Sequence, residues 1–346
     1  MSTLLSILIA VVIFFVIVIV HEFGHFIVAK LNGIPVSEFA IGMGPILFKK
    51  QGKETLFTIR ALPIGGFCSM GEDEEDLDGT GFRSKPVYKR MLVIVAGAFM
   101  NLLLGLVLSF IVVILSGRVV TTEIAQITEG SSFEASGIQV GDRVVKVNGM
   151  YVLTANDIIF QLANDEDGYI DFVVERDGQR LEFNSVKFNI TVDEETGART
   201  LTYDFKVLAK KLTPSQLVPT ALKKWAYNGR LILISLRDII RGKYGINDLS
   251  GPVGIVTVIS DVVSETGFDL EYTLEMALLI TVNVGIFNLI PFPALDGGRF
   301  VFLLIEAIRR KPIKAETEGM IHFAGLILVM GLGFVVTCKD VIGLFR

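Results

Sequence analysis

The residues with the strongest chemistry in this 346-residue chain are His21-Glu22-Phe23-Gly24-His25. A helix puts residues four apart on one face, so His21 and His25 can offer two imidazole nitrogens to one metal ion. Glu22 is one position on, close enough to serve as general base toward a water that such an ion activates. Two neutral nitrogen ligands, a nearby carboxylate and an open coordination position are the physical content of an H-E-x-x-H pattern. The motif closes a long apolar run, Leu4 to Val20. Ionisable side chains inside a hydrophobic helix are costly and mark function by default. The alternative is a chance match, with both histidines capping a membrane helix at the interface. A third ligand decides between the two.

The elements that position this motif are apolar. Hydrophobic residues make up 51% of the chain and its mean hydropathy is +0.58, too high for an ordinary soluble domain. The formal charge of −5 is small for this length and suggests no nucleic-acid partner. The N-terminus lacks a basic stretch and no small-residue cleavage site follows the first apolar run, so a retained span is expected rather than a signal peptide. Spans are expected at about Leu4–Lys30, Met91–Ser116, from Leu274 onward, and Met320–Val336. His21 then lies about 25 Å along the first helix, in a hydrocarbon core about 30 Å thick. Cys68 and Cys338 fall towards opposite faces on this topology and are expected as free thiols.

Between the first two spans, Thr55–Ala61 alternates like a strand and leads into apolar, glycine-rich Leu62-Pro63-Ile64-Gly65-Gly66-Phe67. A hairpin of this kind beside an intramembrane site can dip into the bilayer where protein or water satisfies its backbone. Its edge could pair with an extended substrate; the plainer alternative is a hairpin lying on the membrane surface. Glu72-Asp73-Glu74-Glu75-Asp76 is expected as a solvated loop. In the second span, Ala96-Gly97-Ala98 lets helices approach closely, and Asn101 is read as a structural contact across the bundle.

Residues 117–207 read as a soluble module. Glycine turns alternate with strand in Ser136–Gly149, followed by a helix at Ala155–Ala163 and strands at Tyr169–Glu175 and Arg180–Val186 about Asp177-Gly178. From Pro219 to Asp261 the chain is amphipathic and basic, as expected of an interfacial helix, and Ser250–Gly254 is expected as a rigid turn. The third span is broken at Asn288–Gly298 by two prolines and two glycines. Such a break is acceptable at membrane depth only where the backbone faces a cavity. Asp296 sits inside it and needs a partner, which a metal held by two histidines supplies. A helix N-cap role for Asp296 is compatible with ligation. His322 is read as a packed histidine. Basic residues Arg83, Lys85, Lys89 and Arg90, and Arg309, Arg310, Lys311 and Lys314, place both of their loops in the cytoplasm. The N-terminus, the module and the C-terminus are then expected outside, with the metal towards the cytoplasmic side. The expected divisions are 1–116, 117–207, 208–273 and 274–346.

The membrane-embedded His21-Glu22-x-x-His25 together with Asn288-x-x-Pro291-x-Pro293-x-Leu295-Asp296-Gly297 resembles the site-2 protease family of intramembrane zinc metalloproteases. More narrowly, it resembles the bacterial regulator of sigma-E protease branch. The module resembles a PDZ domain of the bacterial protease type; many members have proline where Ala98 stands, and some have two PDZ domains. The resemblance implies a polytopic α-helical membrane protein with four spans, a membrane-dipping β-hairpin and an inserted small α/β PDZ-like domain. It implies Zn2+ held by His21, His25 and Asp296, and Glu22 as catalytic acid/base. Asn288 is implied to help hold the substrate strand, with Pro291 and Pro293 of the same motif and Gly65 and Gly66 of the hairpin on the substrate side. Implied substrates are single-span membrane proteins of the bacterial cell membrane, such as an anti-sigma factor already cleaved by another protease or a remnant signal peptide. The PDZ-like module is implied to receive a peptide or carboxy terminus, or to exclude bulky ectodomains. The rival expectations are a catalytically silent membrane scaffold presenting the module, and a transporter with broken helices.

Overall fold

Apolar sequence of the length seen here folds as long helices because a helix satisfies its own backbone. In the computed structural model, α1 runs Ser2–Leu31 and α2 Val87–Ser116. The structure describes residues 2–71, 81–165, 167–188, 190–192, 199–201, 203–245, 249, 251, 253–257, 260 and 268–343. The acidic run Glu72–Asp76 and the turn residues Ser250 and Pro252 lie outside these. The chain divides into two units, Met1–Leu108 with Asn228–Arg346, and Ser109–Tyr227.

Among the described residues, four helices are long and apolar enough to cross a membrane: Leu4–Leu31, Val87–Ser116, Leu270–Asn288 and Ala315–Gly343. The protein is thus built as a polytopic membrane protein, with apolar side chains such as Leu8, Val12, Phe99, Phe323, Leu328 and Phe334 left exposed along these helices. In the first unit, Ile13 and Ile17 of α1 pack on Ala277 and Ile280 of the third long helix, α6 (Leu270–Asn288). A second cluster joins Ala29, Ile34, Val36, Met70, Val93, Ile94 and Leu303. It ties the end of α1 to the following sheet, to the start of α2 and to α7 (Asp296–Arg309). The guanidinium of Arg90 on α2 also pairs with both carboxylate oxygens of Glu306 on α7.

The hairpin is more extensive than the alternation at Thr55–Ala61 suggests. It is formed by β1 (Glu38–Gln51) and β2 (Leu56–Ser69), each of which doubles back. Residues 38–41 pair antiparallel with 66–69 on one side and in parallel with 56–59 on the other, while 46–51 pair antiparallel with 56–60. Four short segments result, with 66–69 at one edge. Glu38 accepts from Thr58 and Arg60 at 2.6 and 2.8 Å, and Arg60 also donates to the Gly44 carbonyl at 2.9 Å.

The second unit contains an antiparallel sheet in the order β10-β3-β4-β6-β7, with a short β5 on β4. These strands are β3 (Arg118–Ile127), β4 (Arg143–Val147), β5 (Met150–Tyr151), β6 (Tyr169–Arg176), β7 (Gln179–Lys187) and β10 (Phe205–Lys211), while β8 (Ile190–Val192) and β9 (Arg199–Leu201) pair with each other. Asn148-Gly149 and Asp177-Gly178 turn with positive φ at both positions, the conformation that tight hairpins require. After the single turn of α3 (Ser132–Ala135), helix α4 spans Ala155–Ala163 as expected and carries a capping box from Thr154 and Asp157. Phe133, Phe172 and Phe188 are buried together against Phe205.

Helix α5 (Pro214–Ile240) differs from the expectation at both ends. Pro219 lies within its second turn instead of opening it, where it cannot donate the backbone hydrogen bond to the Ser215 carbonyl. Gly242, at φ +74, follows its end.

Candidate metal centre

The last turns of α1 bring His21 and His25 onto one face, with their Nε2 atoms 3.2 Å apart. The link between α6 and α7 brings in Asp296, whose Oδ2 lies 3.1 Å from His21 Nε2 and 3.4 Å from His25 Nε2. Bonds of 2.0–2.1 Å directed tetrahedrally have ligand atoms about 3.3 Å apart. The three atoms therefore form a triangle of the size of one face of a zinc tetrahedron.

Local chemistry supports a cation there. His25 Nδ1 donates to the Val93 carbonyl at 2.8 Å, because a carbonyl can only accept. That fixes the ring proton on Nδ1 and leaves Nε2 a lone pair aimed into the triangle. Asp296 Oδ2 is buried and lacks a hydrogen-bond partner. A lone-pair nitrogen and an orphaned carboxylate oxygen facing each other repel until a cation joins them. Two imidazoles and a carboxylate suit zinc.

Asp296 is the first helical residue of α7, with Leu295 in the N-cap position, so its carboxylate does not serve as the cap. The link is held from α8 (Ala315–Gly343). Ala294, at φ +78, donates its backbone N–H to His322 Nδ1 at 2.9 Å. Gly325 packs so closely on Pro293 that a β-carbon there would lie 2.5 Å from the Pro293 carbonyl oxygen. A cavity of about 380 Å3, lined by Arg90, Arg299, Glu306, Glu318 and His322 among others, borders the same link.

Glu22 points towards the hairpin: a β-carbon on Gly66 would lie 3.2 Å from Glu22 Cγ and 3.1 Å from Val18. Gly65, at φ +73, neighbours Met43. Asn288 is the half-buried last residue of α6, and Pro291 is exposed in the link. These two belong to the connection that carries Asp296 and not to the triangle itself.

Two contributors come from α2. A β-carbon on Gly97 would lie 2.8 Å from His21 Cε1 and Nε2, and nearer still to His25 Nε2. Asn101, one turn on and fully buried, sets its Nδ2 3.3 Å from His21 Nδ1. In sequence, Gly97 reads as a packing residue and Asn101 as a cross-bundle contact. The available signal was their four-residue spacing, which gives both side chains one face of α2.

The model of Peptidase family M50 matches residues 9–332. The zinc metalloprotease RasP of Geobacillus kaustophilus is 31% identical, with 98% of each chain covered. Zinc metalloprotease RasP of Shouchella clausii is also 31% identical, over 100% of both chains. Regulator of sigma-W protease RasP of Bacillus subtilis is 29% identical, covering 97% of this chain and 98% of its own. With a family match over nearly its whole length and helices suited to a bilayer, the chain belongs to peptidase family M50, the site-2 proteases, and is a membrane zinc metalloprotease.

Proposed function

We propose that this enzyme hydrolyses peptide bonds inside the transmembrane segments of single-span membrane proteins, with His21, His25 and Asp296 as zinc ligands. The observation that carries this reading is the triangle of ligand atoms, built partly on a helix apolar enough to cross a bilayer. Zinc held there supplies Lewis acidity toward a water and the scissile carbonyl. Glu22 takes the proton of the attacking water and later gives it to the leaving amine nitrogen. A helical peptide bond is shielded by its own backbone, so the substrate segment first unwinds. The edge at 66–69 offers replacement hydrogen bonds by strand addition, with Gly65 and Gly66 on the substrate side. Asn288, with Pro291 and Pro293, holds the substrate strand from the other side.

The divisions 1–116, 117–207, 208–273 and 274–346 go with this reading. Residues 117–207 act as a PDZ-like domain that receives a peptide or carboxy terminus, or excludes bulky ectodomains. Its antiparallel sheet, Asn-Gly and Asp-Gly turns and α4 support that assignment. The enzyme resides in the bacterial cell membrane, with both termini and the PDZ-like domain outside and the metal towards the cytoplasm, as the basic loops favour. The name of the Bacillus subtilis relative, a regulator of sigma-W, supports a membrane-anchored anti-sigma factor, first trimmed by another protease, as one substrate.

The test uses full-length enzyme in lipid vesicles with a single-span model substrate. Glu22→Gln is expected to lose at least about 100-fold in cleavage rate while retaining one zinc by metal analysis. Cleavage at the parental rate would overturn the acid/base assignment.

A further inference from the structure

We propose that Asn101 is the positioning residue that keeps His21 in its metal-binding ring form, its amide oxygen accepting the proton of His21 Nδ1. The inference rests on the zinc-ligand reading above. An imidazole binds a metal through a nitrogen lone pair, so its proton must sit on the other ring nitrogen. For His25 the Val93 carbonyl enforces this. The corresponding neighbour of His21 Nδ1 is the Asn101 amide, at 3.3 Å.

With the amide nitrogen toward the ring, Asn101 donates to Nδ1, and the imidazole proton is left on Nε2. That proton then points at Asp296 Oδ2 and His25 Nε2, inside the triangle where a cation belongs. The Asn101 oxygen is meanwhile buried with no hydrogen-bond partner. Amide oxygen and nitrogen are nearly the same size, and which faces which is decided by the surrounding network. Turning the amide sets Oδ1 on Nδ1–H and leaves Nδ2 where the unpaired oxygen was. The number of unpaired amide atoms does not change, so zinc tips the balance: only the turned amide leaves three lone pairs facing one ion. Gly97, on the same face of α2, lets this helix approach closely enough for the contact.

The test measures zinc affinity of the full-length protein in detergent by chelator competition, with the visible spectrum of the cobalt-loaded form as a second readout. Asn101→Leu keeps the volume without an acceptor, and Asn101→Asp keeps an acceptor without the donor. Asn101→Leu is expected to lose 10- to 100-fold in affinity, on the order found for outer ligand partners, and Asn101→Asp to stay within about threefold of the parent. Equal affinity in Asn101→Leu, or an Asn101→Asp variant as weak as Asn101→Leu, would overturn the proposal. Should Asn101→Leu not fold, Asn101→Ala, which removes the acceptor without adding bulk, takes its place with the same expected loss, and parental zinc affinity in that variant would overturn the proposal. A parental protein that binds no zinc overturns the ligand reading instead, which separates the two failures.

Discussion

Among single residues, the centre depends on which lone pairs converge and what prevents them from turning away. Asp296 contributes the only negative charge in the triangle, so Asp296→Asn should reduce bound zinc well below one per chain. Unchanged stoichiometry by metal analysis would remove it from the ligand set. Gly97 contributes space. Gly97→Ala drives a methyl group against both imidazoles, and it is expected to lower zinc affinity by at least about tenfold while helix content by circular dichroism stays the same. The histidine pair and Glu22 are legible in sequence because they lie within one helical turn of each other. Asp296 is legible as an acid without explanation inside a broken span. Gly97 and Asn101 act on α1 from a different helix, and His322 acts on the link from another, so their roles depend on tertiary neighbours that spacing along the chain does not specify.

At the level of elements, the link between α6 and α7 is the part that must hold its shape. It carries Asp296, and α8 braces it through the His322 hydrogen bond and the Gly325–Pro293 contact. Gly325→Val overpacks that contact at a cost of about 1–3 kcal/mol. Reduced zinc content with the helices intact is the expected result, and full zinc loading would show that the brace is dispensable. The ends of α1, α2 and α6 follow the apolar length closely, whereas α8 runs from Ala315 to Gly343, well beyond the expected Met320–Val336. The hairpin was much less legible: alternation marked Thr55–Ala61, yet the strands reach Gln51 and Ser69 and fold back on themselves. Apolar residues such as Met43, Leu47, Phe48 and Leu62 stay exposed on it. Sequence alternation reports one wet and one dry face, and a sheet with apolar side chains exposed in this way does not obey that pattern.

For the molecule as a whole, the two units have different weaknesses. In the second, Asp142 is buried and accepts from Arg176 at 2.6 and 2.7 Å and from the Gln139 N–H at 2.9 Å. Burial alone would push its carboxyl pKa up, but the Arg176 hydrogen bonds and charge outweigh it, and the net direction is down. A group lowered in this way stabilises the fold above its unfolded value, about pH 4, and that stabilisation is lost as the pH falls through the lower folded value. Asp142→Asn should cost about 2 kcal/mol, between the values for an exposed and a buried pair, because the carboxylate is buried and the guanidinium partly exposed. Faster hydrogen exchange in β4 and β6 of the full-length protein at pH 7 would report it, with the difference from the parent shrinking below about pH 4.

The edge at 66–69 runs past Glu22, and among the described residues no further strand pairs with it. On the proposed strand addition at that edge, the enzyme measures distance more than it reads side chains. Antiparallel pairing repeats every two residues, so sliding the substrate by one step should be resisted and sliding it by two accepted. Mass spectrometry of products from substrates carrying one- and two-residue insertions should then show scissile bonds displaced in even steps. Tolerance of many sequences and a fixed ruler would come from the same few ångströms of glycine-rich strand.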